Sequence, residues 1–125
     1  MILGTGIDLC EVSRMQAKVQ APADDFIARV FLPAEIAYCQ AKRYPAEHFA
    51  ARYAAKKAVV KALADTSRRG SFWLDIEIGN EQDGRPAITL HGRALEMADA
   101  LGVRHVFVSL THTREMAAAT VVLEG

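Results

Sequence analysis

Four basic side chains, Arg52, Lys56, Lys57 and Lys61, fall within one alanine-rich stretch. On a helix, Arg52 and Lys56 share one face and Lys57 and Lys61 another, because residues four apart lie one above the other. Like charges at that spacing repel by roughly a few tenths of a kcal/mol on an exposed surface, and a bound anion reverses the sign. Taken alone, such a run reads first as a solvated basic face. Two other residues bear on that reading. Asp8 lies at the end of an apolar N-terminal stretch, and His112 lies in a turn between two apolar C-terminal stretches. Strand ends and turns are where a rigid scaffold presents reactive groups. A carboxylate, several lysines and a histidine make a site for a polyphosphate with a divalent metal, since magnesium takes one or two carboxylates plus phosphate oxygens. Each residue by itself has a plainer role, and a lone histidine is more often a satisfied structural one. The sequence holds no P-loop, no GxGxxG after a strand, no GxSxG and no HExxH, which removes the usual nucleotide-binding and hydrolase readings.

The elements that must position these groups follow from local pattern. Residues Ile2 to Leu9 read as a strand, in which Gly4 and Gly6 signal a bulge or a close backbone approach. Ser13 to Gln20 forms a short helix that stops at Ala21-Pro22. Asp24 and Asp25 precede FIARVF, where acids in a first helical turn complement the macrodipole. Pro33 opens a further helix, closed by the Tyr44-Pro45 step. The longest helix runs from about Ala46 to Leu63, with no Gly or Pro inside it. Beyond it, Phe72 to Ile78 alternates as a strand, residues 80–86 supply turn chemistry, and Ala87 to Leu90 is a second strand. Gly92 to Leu101 is a helix capped by Gly102. His105 to Leu110 and Met116 to Leu123 are strands around the turn 111–115. Strand, helices, hairpin, helix and hairpin in that order predict an α+β fold, an antiparallel sheet with helices packed on one side.

At 125 residues the chain is the size of one domain, 1–125. Half of it is apolar, about a quarter is charged and the net charge is zero. Overall charge therefore gives no reason to expect nucleic acid or an anionic membrane, and any anion site must come from local clustering. Cys10 and Cys39 match neither a disulfide framework nor a CxxC metal site and read as reduced small hydrophobes. No charged, apolar leader opens the chain and no segment reaches the ~20 apolar residues of a membrane span, so a soluble cytoplasmic protein is expected.

Four segments carry a resemblance to a known family. They are GTGIDLCEVSRM at the start, FAARYAAKKAVVKAL in the long helix, DGRP before a strand, and VFVSLTHTREMAAATVVLE at the end. In that order and spacing the chain resembles the 4′-phosphopantetheinyl transferases of the short bacterial type, the holo-[acyl-carrier-protein] synthases, over residues 1 to 124. The resemblance implies transfer of 4′-phosphopantetheine from coenzyme A to a serine of acyl carrier protein, leaving 3′,5′-ADP. It also implies a homotrimer with active sites at subunit interfaces. Asp8 is then a magnesium ligand and Lys61 the group that stabilises or protonates the leaving phosphate. Arg52, Lys56, Lys61, His112 and Thr113 line the coenzyme A site, with Pro86 near the adenine. Arg14, Phe26 and Arg29 lie on the surface that docks the carrier.

Three departures from the family pattern matter. The family's glutamate in A-A-K-E-A, which supplies a second metal carboxylate, is Lys57 here. An ammonium at that position opposes a divalent ion. The Gly-Thr-Gly that often follows the long helix reads Ala64-Asp65-Thr66, and acidic Asp24 and Asp25 stand where a basic approach to an acidic carrier is expected. The residues leave three readings open. One is a working transferase in which Lys57 takes the metal's charge, joining Asp8 and Lys61 as a catalytic group, or in which Glu11 takes over ligation. The second is a catalytically impaired, coenzyme A-binding homologue with Lys57 filling the metal site. The third is a structural protein that reuses the scaffold.

Overall fold

The computed structural model describes residues 1–64 and 72–125. Its order is β1 (Ile2–Glu11), α1 (Val12–Val19), a 3-10 turn (Pro22–Asp24), α2 (Phe26–Val30), α3 (Pro33–Gln40) and α4 (Pro45–Ala62), then a second 3-10 turn (Trp73–Asp75). There follow β2 (Ile76–Asn80), β3 (Pro86–Leu90), α5 (Gly92–Leu101), β4 (His105–His112) and β5 (Met116–Glu124). All strand pairs are antiparallel, as expected for the α+β class. The strands form two sheets rather than one: a three-stranded sheet of order β1-β5-β4 and the separate hairpin β2-β3.

The glycines of β1 explain how the sheet meets its principal helix. A methyl group built on Gly6 would collide with the Ala58 carbonyl oxygen of α4, and one on Gly4 with that of Ala62. The bare strand therefore lets the helix backbone rest directly on it, and the register irregularity between Ile2 and Gly4 supplies the bulge as well. Behind this contact, Ala50, Ala54, Ala58 and Val59 of α4 and Ala117, Ala119, Val121 and Leu123 of β5 are buried. Small residues on both sides allow the close approach, and burial of this apolar surface is the main stabilising term.

Two expected elements shift. The strand expected from Phe72 begins only at Ile76, because Trp73–Asp75 turns. That turn aims the Asp75 carboxylate at α5, where it accepts the Arg93 N–H at 3.0 Å, while the Asp75 carbonyl accepts the His91 N–H at 2.7 Å. His112 closes β4 instead of sitting inside the turn. Asp25 also differs from its expected place in a helical turn: it adopts a left-handed conformation, φ 58°, at the start of α2.

Ala64 adopts φ 55° just past α4, where the resemblance places glycine. A Cβ is strained in that region. Ala64→Gly is expected to raise stability by about 1 kcal/mol, read as a higher denaturation midpoint at unchanged m-value. The rest of that expected loop, Asp65 and Thr66, lies outside the described residues.

Candidate active site

Because α4 rests on Gly4 and Gly6, the residues flanking its contact face reach the next inward-facing position of β1, which is Asp8. Lys57 Nζ lies 3.4 Å from Asp8 Oδ1 and donates to the Leu9 carbonyl at 2.9 Å. Lys61 Nζ lies 3.2 Å from Asp8 Oδ2 and donates to the Ile7 carbonyl at 3.2 Å. The Leu9 N–H donates to Asp8 Oδ1 at 2.8 Å. Burial works to raise the Asp8 pKa, but the Leu9 N–H, the Lys61 contact and the charge of Lys57 outweigh it, so the carboxyl ionises below its usual range. Asp8, Lys57 and Lys61 are thus brought together as the sequence led one to expect.

Lys57 also lines a cleft of about 420 Å³ with Leu9, Glu11, Arg14, Phe26 and Tyr53. The cleft joins two of the three residues assigned to carrier docking to the Asp8 cluster. Arg29 stands outside it, exposed, with its guanidinium 3.7 Å from Asp24, which also takes Lys18 at 3.0 Å. Asp24 thus pairs with two cations of this surface and offsets one of their two charges. Cys10 lies on the same cleft, and burial pushes its thiol above the ordinary value, as expected of an inert small hydrophobe.

The remaining assigned residues lie elsewhere. Lys56 is corrected outright: it is fully buried, and its Nζ donates to Glu35 Oε1 at 2.8 Å, the Val30 carbonyl at 2.8 Å and the Trp73 carbonyl at 2.9 Å. All three protons are committed to the core, leaving none for coenzyme A. Arg52, on the same helix face, is also buried, with its guanidinium 3.9 Å from the Tyr38 ring and 2.9 Å from Asn80 Oδ1. Its Nε is buried with no hydrogen-bond partner among the described residues. Pro86 lines a separate groove of about 590 Å³ between the β2-β3 hairpin and β4. His112 Nδ1 lies 3.2 Å from Glu47 Oε1, and its ring meets His48 edge-on at 5.0 Å. The Thr113 hydroxyl accepts the backbone N–H groups of Glu115 and Met116 at 3.2 and 3.1 Å, which stiffens the β4-β5 turn. Strand pairing places His112 and Asp8 on opposite sides of β5, two residues out of line, or roughly 12 Å apart.

Several residues of these clusters were not singled out in the sequence. Glu47 and His48 hold and face His112 from the first turn of α4, and burial together with the charges of His112, Lys42 and Arg52 lowers the His48 pKa. Tyr38 carries the Arg52 stack, and Tyr53 lies 4.8 Å from Lys57 Nζ. The aromatic Tyr53, placed among alanines and between Arg52 and Lys57, is the one signal that would have found this cleft.

The resemblance implies magnesium at Asp8, and the donor set does not fit it. Both Asp8 oxygens and the flanking Ile7 and Leu9 carbonyls face ammonium groups, and no cluster of three His, Cys, Asp or Glu occurs among the described residues. Two unit charges at 4 Å interact by about 4 kcal/mol at an effective dielectric of ~20, and a dication facing Lys57 meets roughly twice that repulsion.

This fold, with its acid-and-lysine cluster beside a cleft, is that of the phosphopantetheinyl transferases, and the chain belongs to the 4′-phosphopantetheinyl transferase superfamily, matched over residues 4–121. It is 48% identical over 124 residues to the holo-[acyl-carrier-protein] synthase of Koribacter versatilis, covering 99% of both chains. The Neisseria meningitidis holo-[acyl-carrier-protein] synthase superimposes with a TM-score of 0.85 at 29% identity, over 100% of each chain. The Helicobacter pylori enzyme, solved in complex with coenzyme A, gives 0.82 at 29% identity, over 96% of this chain and 99% of that one.

Proposed function

We propose that residues 1–125 act as one transferase domain, moving 4′-phosphopantetheine from coenzyme A to a serine of apo-acyl carrier protein and releasing 3′,5′-ADP. The observation that carries this reading is the placement of Lys57 and Lys61 on either side of Asp8, next to a cleft that also holds Arg14 and Phe26. A 48% identical relative named as a synthase and a neighbour solved with coenzyme A support it. They lend no support to a coenzyme A-binding homologue without turnover.

The carrier serine enters along the cleft. Its Oγ forms a bond to the phosphorus bearing the pantetheine arm as the bridging P–O bond breaks, and that bond's electron pair leaves on the phosphate of 3′,5′-ADP. Lys61, half-exposed, delivers a proton to the departing oxygen. Asp8 accepts the serine proton and returns it to Lys61 across their 3.2 Å contact. Asp8 is a weak base here, which costs little because phosphoryl transfer passes through a loose transition state in which positioning and charge stabilisation dominate. From Glu47 to Lys61, α4 spans about 21 Å, enough to lie along an extended nucleotide substrate with His112 and Thr113 at its far end and Pro86 by the adenine.

Copies of the chain associate through the outer face of the β1-β5-β4 sheet. Ile7, Leu9 and Phe107 stand 63%, 56% and 52% exposed on it, an apolar patch on strands whose other face is already covered by α4. Phe107→Glu is expected to shift the native mass from trimer to monomer in light scattering and to lower transfer at least tenfold. No helix of the described residues is long and apolar enough to cross a membrane, and two buried free cysteines favour the reducing cytoplasm.

The reading is tested by intact mass of several apo-carriers incubated with coenzyme A and the protein. A gain of one phosphopantetheine on the carrier supports it, and no gain on any carrier refutes it.

A further inference from the structure

We propose that Lys57 replaces the metal ion, so that this chain catalyses the transfer without a divalent cation. The inference rests on the transfer reading above and concerns how the same site carries its charge.

Three observations support it. The oxygen donors that an ion at Asp8 would need are held by ammonium groups: Lys57 takes Asp8 Oδ1 and the Leu9 carbonyl, and Lys61 takes Asp8 Oδ2 and the Ile7 carbonyl. Second, Lys57 is fixed rather than waving in solvent. Its side chain is only 26% exposed, and Nζ lies 4.8 Å from the Tyr53 ring. One ammonium proton goes to the Leu9 carbonyl and the charge pairs with Asp8 at 3.4 Å, while the same ammonium lines the cleft.

Third, the charge is conserved. Magnesium with two carboxylates and Lys61 sums to one positive charge. Lys57, Asp8 and Lys61 with no ion sum to the same value. The net charge presented to a bound pyrophosphate is therefore unchanged, with one ammonium hydrogen bond in the place of ion coordination. Glu11 could restore a carboxylate to the cleft, but it would still have to bring a dication against Lys57. In the transfer step Lys57 stays protonated and forms no covalent bond. It stabilises the charge that gathers on the phosphoryl oxygens as the bridging bond breaks.

The experiment compares the unmodified protein with Lys57→Glu and Lys57→Gln, in EDTA and in excess magnesium, by carrier mass gain. Free Mn²⁺ is followed in parallel by electron paramagnetic resonance in the presence of coenzyme A. The unmodified protein is expected to transfer at rates within twofold in the two buffers and to leave the free Mn²⁺ signal unchanged. Lys57→Glu should take up Mn²⁺ and transfer only with magnesium. Lys57→Gln should lose about 100-fold in kcat, the range seen when one charge-stabilising donor is removed, with a smaller change in KM for coenzyme A. Transfer by the unmodified protein that stops in EDTA and returns with magnesium overturns this inference and leaves the transferase standing. Full activity of Lys57→Gln in EDTA overturns it as well. Absence of transfer in either buffer brings down the transferase reading itself. A coenzyme A-induced rise in melting temperature confirms that each variant is folded.

Discussion

Lys61→Ala is expected to lower kcat for phosphopantetheinyl transfer by about 10²–10³-fold while moving the melting temperature little. The size follows from what Lys61 does: it gives up a proton and neutralises charge at the leaving phosphate, and losing one such group typically has that effect. The near-constant stability follows from exposure. Lys61 is 58% exposed, and a solvent-screened pair with Asp8 contributes at most about 1 kcal/mol. Steady-state kinetics with Lys61→Arg as a companion separate charge from proton delivery. Arginine keeps the cation but does not release its proton, so it should recover binding of coenzyme A without recovering kcat. A Lys61→Ala enzyme with kcat within threefold of the unmodified protein would remove Lys61 from the reaction.

The second large effect is on folding and falls on the neighbouring basic residue of the same helix. Glu35→Met or Lys56→Met is expected to destabilise the protein by about 3–5 kcal/mol, because each leaves a buried charge without its partner. Removing Glu35 also strands the Leu32 and Ile78 N–H groups, which donate to its two oxygens at 2.7 and 2.8 Å. Removing Lys56 strands the Val30 carbonyl and takes one of two donors from the Trp73 carbonyl, which keeps the Ile76 N–H. Burial already pushes the Lys56 pKa below its ordinary value, with Glu35 acting in the opposite direction, so loss of the carboxylate drives the lysine toward its neutral form. The double replacement should cost clearly less than the two single costs added, since both charges leave together. Urea unfolding of the four proteins checks this, and simple additivity would show that the pair does not act as a unit. Such a loss is a large share of the 5–15 kcal/mol typical of a domain.

Read as residues, Lys56 and Lys57 fall on different faces of the helix, but nothing local says which face turns inward. They are adjacent, equally basic and sit among alanines on a helix where 12 residues are buried. A helix covered on most sides shows no polar stripe against an apolar one, so its periodicity cannot say which lysine turns inward. One step of about 100° separates the core from the active site. The assignment of Lys56 to coenzyme A failed for that reason, and Glu35, the acid that receives it, comes from another helix.

What the sequence determined by itself was whatever depends on near neighbours along the chain. Pro33 opens a helix, Gly102 closes one at φ 84°, and the alternating C-terminal segments pair as a hairpin. The bare positions Gly4 and Gly6 announced a backbone contact, although not its partner. Their spacing relative to Asp8, and the i, i+4 spacing of Lys57 and Lys61, are local facts that already imply one carboxylate between two ammonium groups once strand and helix touch. Only the tertiary structure decided that they touch at Ala58 and Ala62. It also decided that the β2-β3 hairpin leaves the main sheet and that His112 is answered by Glu47 and His48 rather than by the Asp8 cluster. These outcomes turn on contacts between segments far apart in the chain, where packing of small residues and the pairing of buried charges outweigh local preference.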